Sequence, residues 1–157
     1  MTKLYFIRHG KTEWNLEGRY QGANGDSPLL KESYTEISQL ASFLAPNKFQ
    51  HIYASPLRRA RVTATTLQHE LDELQGYPKP ITSRLKEFNL GIMEGMKFVD
   101  VEREYTDEVD AFRNHPDRYD PTKIKGETFQ HLVKRMKPTI LRICEKYPAK
   151  NDNVIIV

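Results

Sequence analysis

The sequence predicts an α/β fold, a three-layer sandwich in which a mostly parallel central sheet carries helices on both faces. Three short apolar runs, LYFI (4–7), HIYA (51–54) and VIIV (154–157), are typical of strands that are covered on both faces. Apolar residues at helical spacing fill the stretches between these runs. Strands that alternate with helices are the pattern of a parallel sheet, and 157 residues are enough for one domain.

The helices are predicted by four periodic runs of apolar residues, at 37–44, 57–74, 98–112 and 128–144. Ser55 and Pro56 stand before the second run, where they predict an N-cap followed by proline in the first helical turn. Pro138 is expected to kink or interrupt the fourth run, because proline removes a helical hydrogen bond. Cys144 in that run is expected to be a small core residue, since free cysteine is commonly buried.

Segment 86–127 fits the alternation of strands and helices poorly. It contains NLGIMEGMKF and then the polar stretch NHPDRYDPTKIKGE, which includes two prolines. We interpret 88–125 as a lid-like insertion that lies over the ends of the strands, where functional loops are common.

The charge balance is mildly basic, with a net charge of +3. This is far from the basic arms of nucleic-acid binders, so we expect no nucleic-acid partner, and the charge would suit an anionic small substrate equally well. The single cysteine excludes an internal disulfide. The N-terminal MTKLYFIRHG has four consecutive apolar residues, too few for a signal peptide or a membrane span. We therefore predict a cytoplasmic protein without a membrane partner.

Polar residues follow the first two predicted strands. Arg8, His9 and Gly10 come directly after the first strand, and Arg58 and Arg59 begin the helix after the second. Ligands of open α/β sheets bind beyond the carboxyl ends of the strands, so both groups would face one crevice. Arginine donors match phosphate oxygens, and a helix N-terminus also favours an anion, which predicts a phosphate ester as the ligand. Taken singly, each group is more typical of a turn, a surface ion pair or a solvated helix face.

No motif supports metal or nucleotide chemistry. The five histidines are scattered, without an i, i+4 pair or an H-E-x-x-H motif, so no metal site is expected. The sequence also lacks a G-x-x-x-x-G-K-[ST] loop and a G-x-G-x-x-G motif. We expect a protein that works without a cofactor.

The stretch RHGKTEWN (8–15) has the form R-H-G-x-T-x-x-N, and four further motifs follow it. They are RYQG (19–22) with DSPL (26–29), YASPLRRARVTA (53–64), LKEFNLGIMEG (85–95) and KGETF (125–129). In order and approximate spacing, the set resembles the histidine phosphatase superfamily, in its phosphoglycerate mutase-like branch. The motifs span nearly the whole chain, so the resemblance implies that residues 1–157 are a single domain of this kind.

The resemblance implies a covalent mechanism. His9 would attack phosphorus and form a phosphohistidine, while its other ring nitrogen donates to a backbone carbonyl near Gly10. Arg8 and Arg58 would hold the phosphoryl oxygens, and Glu87 would protonate the leaving alcohol and then activate water. The further positions that match binding sites for the phosphoryl group or the substrate are Gly10, Thr12, Asn15, Gln21 and Gly22.

Two departures from the family pattern affect the expected activity. Mutases of this family have a tyrosine three residues after the general acid, where this chain has Leu90, so hydrolysis is favoured over mutase chemistry. The family also places a second histidine just after its last strand, whereas this chain ends at Val157. We therefore expect a domain that lacks its C-terminal part and is weakly active or inactive. Its uncovered apolar surface would favour association, for example as a homodimer.

Three functions are compatible with the sequence. The leading one is a metal-independent phosphomonoester hydrolase that acts on a small phosphorylated metabolite. The second is phosphoglycerate mutase-type phosphoryl transfer, which would require a bisphosphorylated primer. The third is a module that binds phosphate esters without turning them over. The identity of the substrate is not readable from 88–125, the segment expected to choose it.

Overall fold

The computed structural model describes residues 2–71, 74, 81–149 and 151–157. Within these residues the sheet has three strands, β1 (Lys3–Phe6), β2 (His51–Tyr53) and β3 (Asn153–Ile156). The strands are parallel and lie in the order β1-β3-β2, so the last strand of the chain is the central one. The three predicted strands are confirmed to within one residue at each end, and the predicted parallel sheet is confirmed.

The helices of the described residues are α1 (Glu13–Leu16), α2 (Lys31–Leu44), α3 (Arg58–Glu70), α4 (Phe98–Glu104), α5 (Thr106–Asn114) and α6 (Phe129–Lys146). Two 3-10 turns lie at Ser83–Leu85 and Gly91–Met93. In this part of the chain, no helix has both the length and the apolar character that crossing a bilayer requires.

Helices cover both faces of the sheet, as the sequence predicts for a three-layer sandwich. Ile155 of β3 belongs to a buried cluster with Leu44 of α2 and Leu67 of α3. Its neighbour Val154 belongs to a different cluster, with Ile143 of α6. Successive side chains of a strand point to opposite faces, so α2 and α3 pack on one face of the sheet and α6 packs on the other.

Segment 88–125 has a hydrophobic cluster of its own. Its buried members are Phe88, Leu90, Met93, Val101, Val109, Tyr119 and Ile124. The ring of Phe129, at the start of α6, stacks on Phe112 with their centroids 5.6 Å apart. This segment is therefore attached to the helix that packs on the sheet. Its lid-like role stays a prediction.

Two predicted helices have different bounds in the structure. The run at 98–112 forms two helices, α4 and α5, because Tyr105 (φ −130°, ψ 42°) leaves the helical region. The run at 57–74 is helical to Glu70, and Leu71 and Leu74 are buried beyond the end of α3. Residues 72 and 73 of the predicted run lie outside the described residues.

The expected interruption at Pro138 is wrong, because α6 runs through this residue. Proline leaves the carbonyl oxygen of Lys134 without its helical partner. Both residues are exposed, so water can satisfy that oxygen at the surface of the helix. Cys144, predicted to lie in the core, is only partly buried.

Val154→Ala should lower the free energy of unfolding by about 2–3 kcal/mol, because the fully buried side chain loses two methyl groups and leaves a cavity. Val99→Ala is the matched control, since the same change is made in a side chain that is 68% exposed. Its effect should stay within about 0.5 kcal/mol. Urea denaturation of both variants measures the difference, and equal losses would contradict the placement of Val154 in the core.

Candidate active site

His9 stands in the turn that follows β1. Its Nδ1 lies 2.8 Å from the carbonyl oxygen of Gly10. A carbonyl oxygen can only accept, so Nδ1 carries the hydrogen and Nε2 keeps a free lone pair in the neutral ring. This is the hydrogen bond that the sequence analysis expected. The amide of Gly10 donates to Oγ1 of Thr63 at 3.0 Å, which ties this turn to α3.

The surroundings of His9 favour the neutral imidazole. Burial lowers the pKa of His9 below its ordinary value of 6.5, and the positive charges of Arg59 and Arg8 lower it further. The hydrogen bond to Gly10 and the negative charge of Glu87 act in the opposite direction without reversing the shift. A neutral imidazole with a free lone pair is the form that can act as a nucleophile.

Arg8 and His9 line two neighbouring cavities, of about 570 and 400 Å³. The larger cavity is also lined by Gly10 and Asn15, and the smaller one by Glu87. The structure thus brings together five of the residues that the sequence analysis selected. In the described part of the chain, histidine, cysteine and carboxylate side chains form no group of three or more that could hold a metal ion.

Arg59 lies beside His9 in the position that the sequence analysis gave to Arg58. The side chain of Arg59 is 1% exposed and lines the smaller cavity. Arg58 is exposed and is not among the described residues that line either cavity. Arg59 donates from Nη1 to the carbonyl of Gly25 at 2.7 Å and from Nη2 to that of Gly22 at 2.8 Å. Its Nε–H is buried and has no hydrogen-bond partner among the described residues.

A carboxylate of the chain itself occupies the N-terminus of α3. Asp26 accepts the amide of Arg58 at 2.5 Å and Nη1 of Arg59 at 3.2 Å. The sequence analysis expected a ligand anion at this helix end and Ser55 as the N-cap, and both expectations need correction. The helix begins after Leu57, whose amide donates to the hydroxyl of Ser55 at 3.5 Å. A long-range contact therefore replaces the local cap.

Thr12 and Asn15 shape the turn after His9 by capping α1. The amide of Asn15 donates to the hydroxyl of Thr12 at 3.3 Å, and the amide of Thr12 donates to the side-chain oxygen of Asn15 at 3.0 Å. This is a reciprocal capping box. Thr12 is fully buried within it. The side-chain oxygen of Asn15 is committed to the cap, so its NH₂ group is the part that can donate to a ligand in the larger cavity.

Gln21 and Gly22 lie in a loop next to the site and are not among the described residues that line the two cavities. Gln21 is buried, and its side-chain oxygen accepts a hydrogen bond from the hydroxyl of Ser27 at 3.1 Å. Gly22 has a positive φ of 72° and provides a carbonyl oxygen to Arg59. Both residues therefore support the loop that holds Arg59.

Glu94 holds the same loop from the other side. Its Oε1 accepts the amides of Ala23 and Leu90, each at 3.0 Å. Its Oε2 accepts the amides of Asn24 at 2.7 Å and Gly25 at 2.5 Å. One carboxylate thus joins loop 22–25 to segment 88–125, and it satisfies four backbone donors that no helix or strand would satisfy.

Sequence reasoning named Arg59 beside Arg58 but gave the site role to Arg58, and it assigned no role to Asp26 or Glu94. A signal was present for Arg59, because helical spacing places it on the same buried face of α3 as Ala60 and Thr63. Asp26 and Glu94 stand in the quoted motifs DSPL and LKEFNLGIMEG, but these motifs did not indicate what either carboxylate contacts. Their partners include backbone amides of segments that are remote in the sequence, and residue types do not record such contacts.

The family follows from a comparison with known proteins. The model of the histidine phosphatase superfamily (branch 1) matches residues 4–157, and the chain belongs to this family.

Three relatives illustrate the similarity. The 6-phosphofructo-2-kinase/fructose-2,6-bisphosphatase 1 of Mus musculus is 28% identical over 156 residues, which are 98% of this chain and 29% of that protein. The probable phosphoglycerate mutase GpmB of Escherichia coli is 31% identical over 158 residues, which are 99% of this chain and 69% of that protein. The structure of Bacillus stearothermophilus YhfR superposes with a TM-score of 0.85 at 31% identity and covers 100% of this chain and 73% of YhfR. The chain thus spans less than a third of the bifunctional relative.

In an NMR titration, the pKa of His9 should lie below 6.5, because burial and two arginines disfavour the imidazolium. The unfolded chain then binds the proton more tightly than the folded chain. His9 therefore contributes stability that is present above about pH 6.5 and is lost as the pH falls through the folded-state pKa. Glu87→Gln should lower this pKa further by removing a negative charge. Glu145→Gln, an exposed change on α6, is the control and should leave it unchanged. A pKa above 6.5 would contradict the burial of the ring.

Gly22→Ala should destabilise the protein more than Gly18→Ala. Both glycines have a positive φ, of 72° and 66°, and an L side chain pays about 1–2 kcal/mol in that region. A Cβ on Gly22 would lie 2.4 Å from Oε1 of Glu94, whereas the nearest atom to a Cβ on Gly18 is 3.6 Å away, on Phe98. We expect an additional loss of about 1–3 kcal/mol for Gly22→Ala in chemical denaturation. Equal losses would mean that the Glu94 carboxylate moves aside freely.

Proposed function

We propose that this chain is a metal-independent phosphomonoesterase that works on a small phosphorylated metabolite in the cytoplasm through a phosphohistidine at His9. The observation that carries the proposal is that Arg59 lines a cavity with His9, while its buried Nε–H has no partner among the described residues. A buried donor without a partner costs about 1–3 kcal/mol, and a phosphate oxygen would remove that cost. The names of two relatives, a fructose-2,6-bisphosphatase and a probable phosphoglycerate mutase, also refer to small phosphorylated molecules.

The first half of the reaction forms the phosphohistidine. Nε2 of His9 attacks phosphorus, and the bond between phosphorus and the oxygen of the alcohol breaks. Glu87 acts as the acid in this step and gives a proton to that oxygen, so the product leaves as a neutral alcohol. Arg8 and Arg59 bind the phosphoryl oxygens and stabilise the charge that spreads over them in the transition state. The Nδ1–H of His9 stays on the carbonyl of Gly10, which holds the ring in place.

The second half returns the enzyme to its starting state. Glu87, now a carboxylate, accepts a proton from a water molecule as that water attacks phosphorus. The bond between phosphorus and Nε2 breaks, inorganic phosphate leaves, and His9 is again neutral. The same carboxyl group thus acts first as the acid and then as the base, so one turnover needs no external proton donor.

Mutase chemistry is the second candidate, because GpmB, a probable phosphoglycerate mutase, is 31% identical to this chain. Leu90 favours hydrolysis, since the resemblance implies a tyrosine there in mutases. The two reactions differ in what accepts the phosphoryl group from His9, water or a second phosphorylated alcohol. Isomerisation of phosphoglycerate that depends on a bisphosphorylated primer would support the mutase, and release of inorganic phosphate without a primer would support the hydrolase.

The chain should hydrolyse an aryl phosphate in excess EDTA at a low but measurable rate, and His9→Ala should abolish this activity. A rapid quench with 32P-labelled substrate should trap a phosphoryl group on the chain that survives alkali and is lost in acid, as expected of a P–N bond. The label should be absent from His9→Ala. Phosphate binding without turnover in the unaltered chain would instead support a binding module, and activity that EDTA removes would overturn the metal-independent mechanism.

Arg8→Ala should lower kcat/KM by about 10²–10³-fold, by analogy with the loss of one oxyanion-hole donor. Arg61→Ala is the matched control, because this exposed arginine of α3 is not among the described residues that line the two cavities with His9. Steady-state kinetics with one aryl phosphate checks both variants. Similar losses in the two variants would show that net positive charge, and not the position of Arg8, supports the reaction.

A further inference from the structure

The guanidinium group of Arg135, on α6, uses all five of its N–H donors around Glu87. Nη1 donates to the carbonyl oxygens of Arg84 at 2.9 Å and Lys86 at 2.8 Å, and Nη2 donates to that of Glu87 at 3.0 Å. The remaining two donors go to the carboxylate of Glu127, from Nε at 2.6 Å and from Nη2 at 2.9 Å. Because an arginine has five such donors, every one of them is assigned.

Glu127 holds the residues on the other side of Glu87. Its side chain is buried, and its Oε2 accepts the amide of Asn89 at 3.3 Å. The amide of Glu127 in turn donates to the carbonyl of Asn89 at 2.8 Å. Burial opposes the negative charge of Glu127, but hydrogen bonds from Arg135, Asn89 and His131 outweigh it and hold the pKa of Glu127 below its usual value. The pair therefore stays ionised at neutral pH.

Glu87 depends on such support, because its segment has no regular structure. The 3-10 turn Ser83–Leu85 ends before it, and the next element begins at Gly91. Its Oε1 accepts the amide of Phe88 at 3.0 Å, and no other described residue hydrogen-bonds this carboxylate. The direction of the carboxylate is therefore set by the backbone of 84–89, which Arg135 and Glu127 hold from both sides. Misplacement of a reacting group by about 1 Å can cost roughly 10²-fold in rate.

We propose that Arg135 and Glu127 are positioning residues that aim the Glu87 carboxyl group at the oxygen of the leaving alcohol. This inference rests on the proposed function above, in which Glu87 is the general acid. Neither residue is among those that line the two cavities with His9 in the described part of the chain. Their effect on the reaction would pass through the backbone of Glu87.

The dependence of the rate on the leaving group tests the proposal. An alkyl phosphate such as glycerol 3-phosphate needs the proton from Glu87, whereas 4-nitrophenolate leaves readily without it. Glu87→Gln should lower kcat/KM for the alkyl ester by about 10²–10⁴-fold and for 4-nitrophenyl phosphate by much less. Arg135→Lys keeps the charge but loses the planar guanidinium group with its paired donors. It should lower kcat/KM for the alkyl ester by about 10–100-fold and for 4-nitrophenyl phosphate by much less.

Arg142→Lys is the matched control, an exposed arginine of the same helix, and should leave both substrates unaffected. Glu127→Gln is the second variant, and thermal unfolding of each protein shows whether it is folded at the assay temperature. A merely structural role of Arg135 predicts equal losses with the two esters, since a smaller folded fraction lowers both rates alike.

The pKa of His9, measured by NMR, gives a readout that needs no turnover. The charge of Glu87 raises this pKa, so Glu87→Gln should lower it. Arg135→Lys and Glu127→Gln should shift it in the same direction if they let the carboxylate move away. An effect of Glu87→Gln in either measurement without any effect of Arg135→Lys or Glu127→Gln would overturn the inference. If Glu87→Gln itself changed neither the preference between the two esters nor the pKa of His9, the proposed role of Glu87 would be overturned, and the inference with it.

Discussion

Arg59 carries its positive charge on a side chain that is only 1% exposed, and the site is arranged around this buried charge. A buried charge that lacks partners costs several kcal/mol, so its surroundings must supply acceptors. One loop supplies them, through the carbonyl oxygens of Gly22 and Gly25 and the carboxylate of Asp26. This loop lies between β1 and α2 in the sequence, while Arg59 begins α3 after β2. The hydrogen bonds to the buried charge of Arg59 therefore join the segment that follows β1 to the segment that follows β2.

The loop can serve Arg59 because a carboxylate holds its opposite side. Its carbonyl oxygens face the guanidinium of Arg59, whereas the amides of Ala23, Asn24 and Gly25 face the carboxylate of Glu94. A loop without regular structure must find partners for all of its buried backbone groups, and two opposite charges provide them here. Glu94 belongs to segment 88–125, so the same arrangement anchors that segment beside His9.

The parts of the fold that the sequence predicted are those that depend on local pattern. The three strands were recognisable from apolar runs, and the clustering of Arg8, His9 and Glu87 was predictable from the placement of ligands at strand ends together with the family motifs. The errors concern contacts between distant segments. Asp26 takes the place of Ser55 at the N-terminus of α3. The buried face of that helix carries Arg59 and not Arg58. Two adjacent arginines are chemically identical, and only the packing of their helix separates them.

The two groups proposed to react come from regions of different regularity, one directly after a strand and the other in an irregular segment. His9 follows β1, and the amide of Ile7 just before it still donates to the carbonyl of Ile156 at 2.8 Å. The sheet therefore fixes the position of His9. Glu87 has no strand or helix behind it, and the ion pair between the partly buried Arg135 and the buried Glu127 takes that place. Such a pair adds little net stability, because desolvation of the charges offsets most of their attraction. On the proposed mechanism, the value of Arg135 and Glu127 is therefore geometric. They give an irregular segment the precision that the sheet gives to His9.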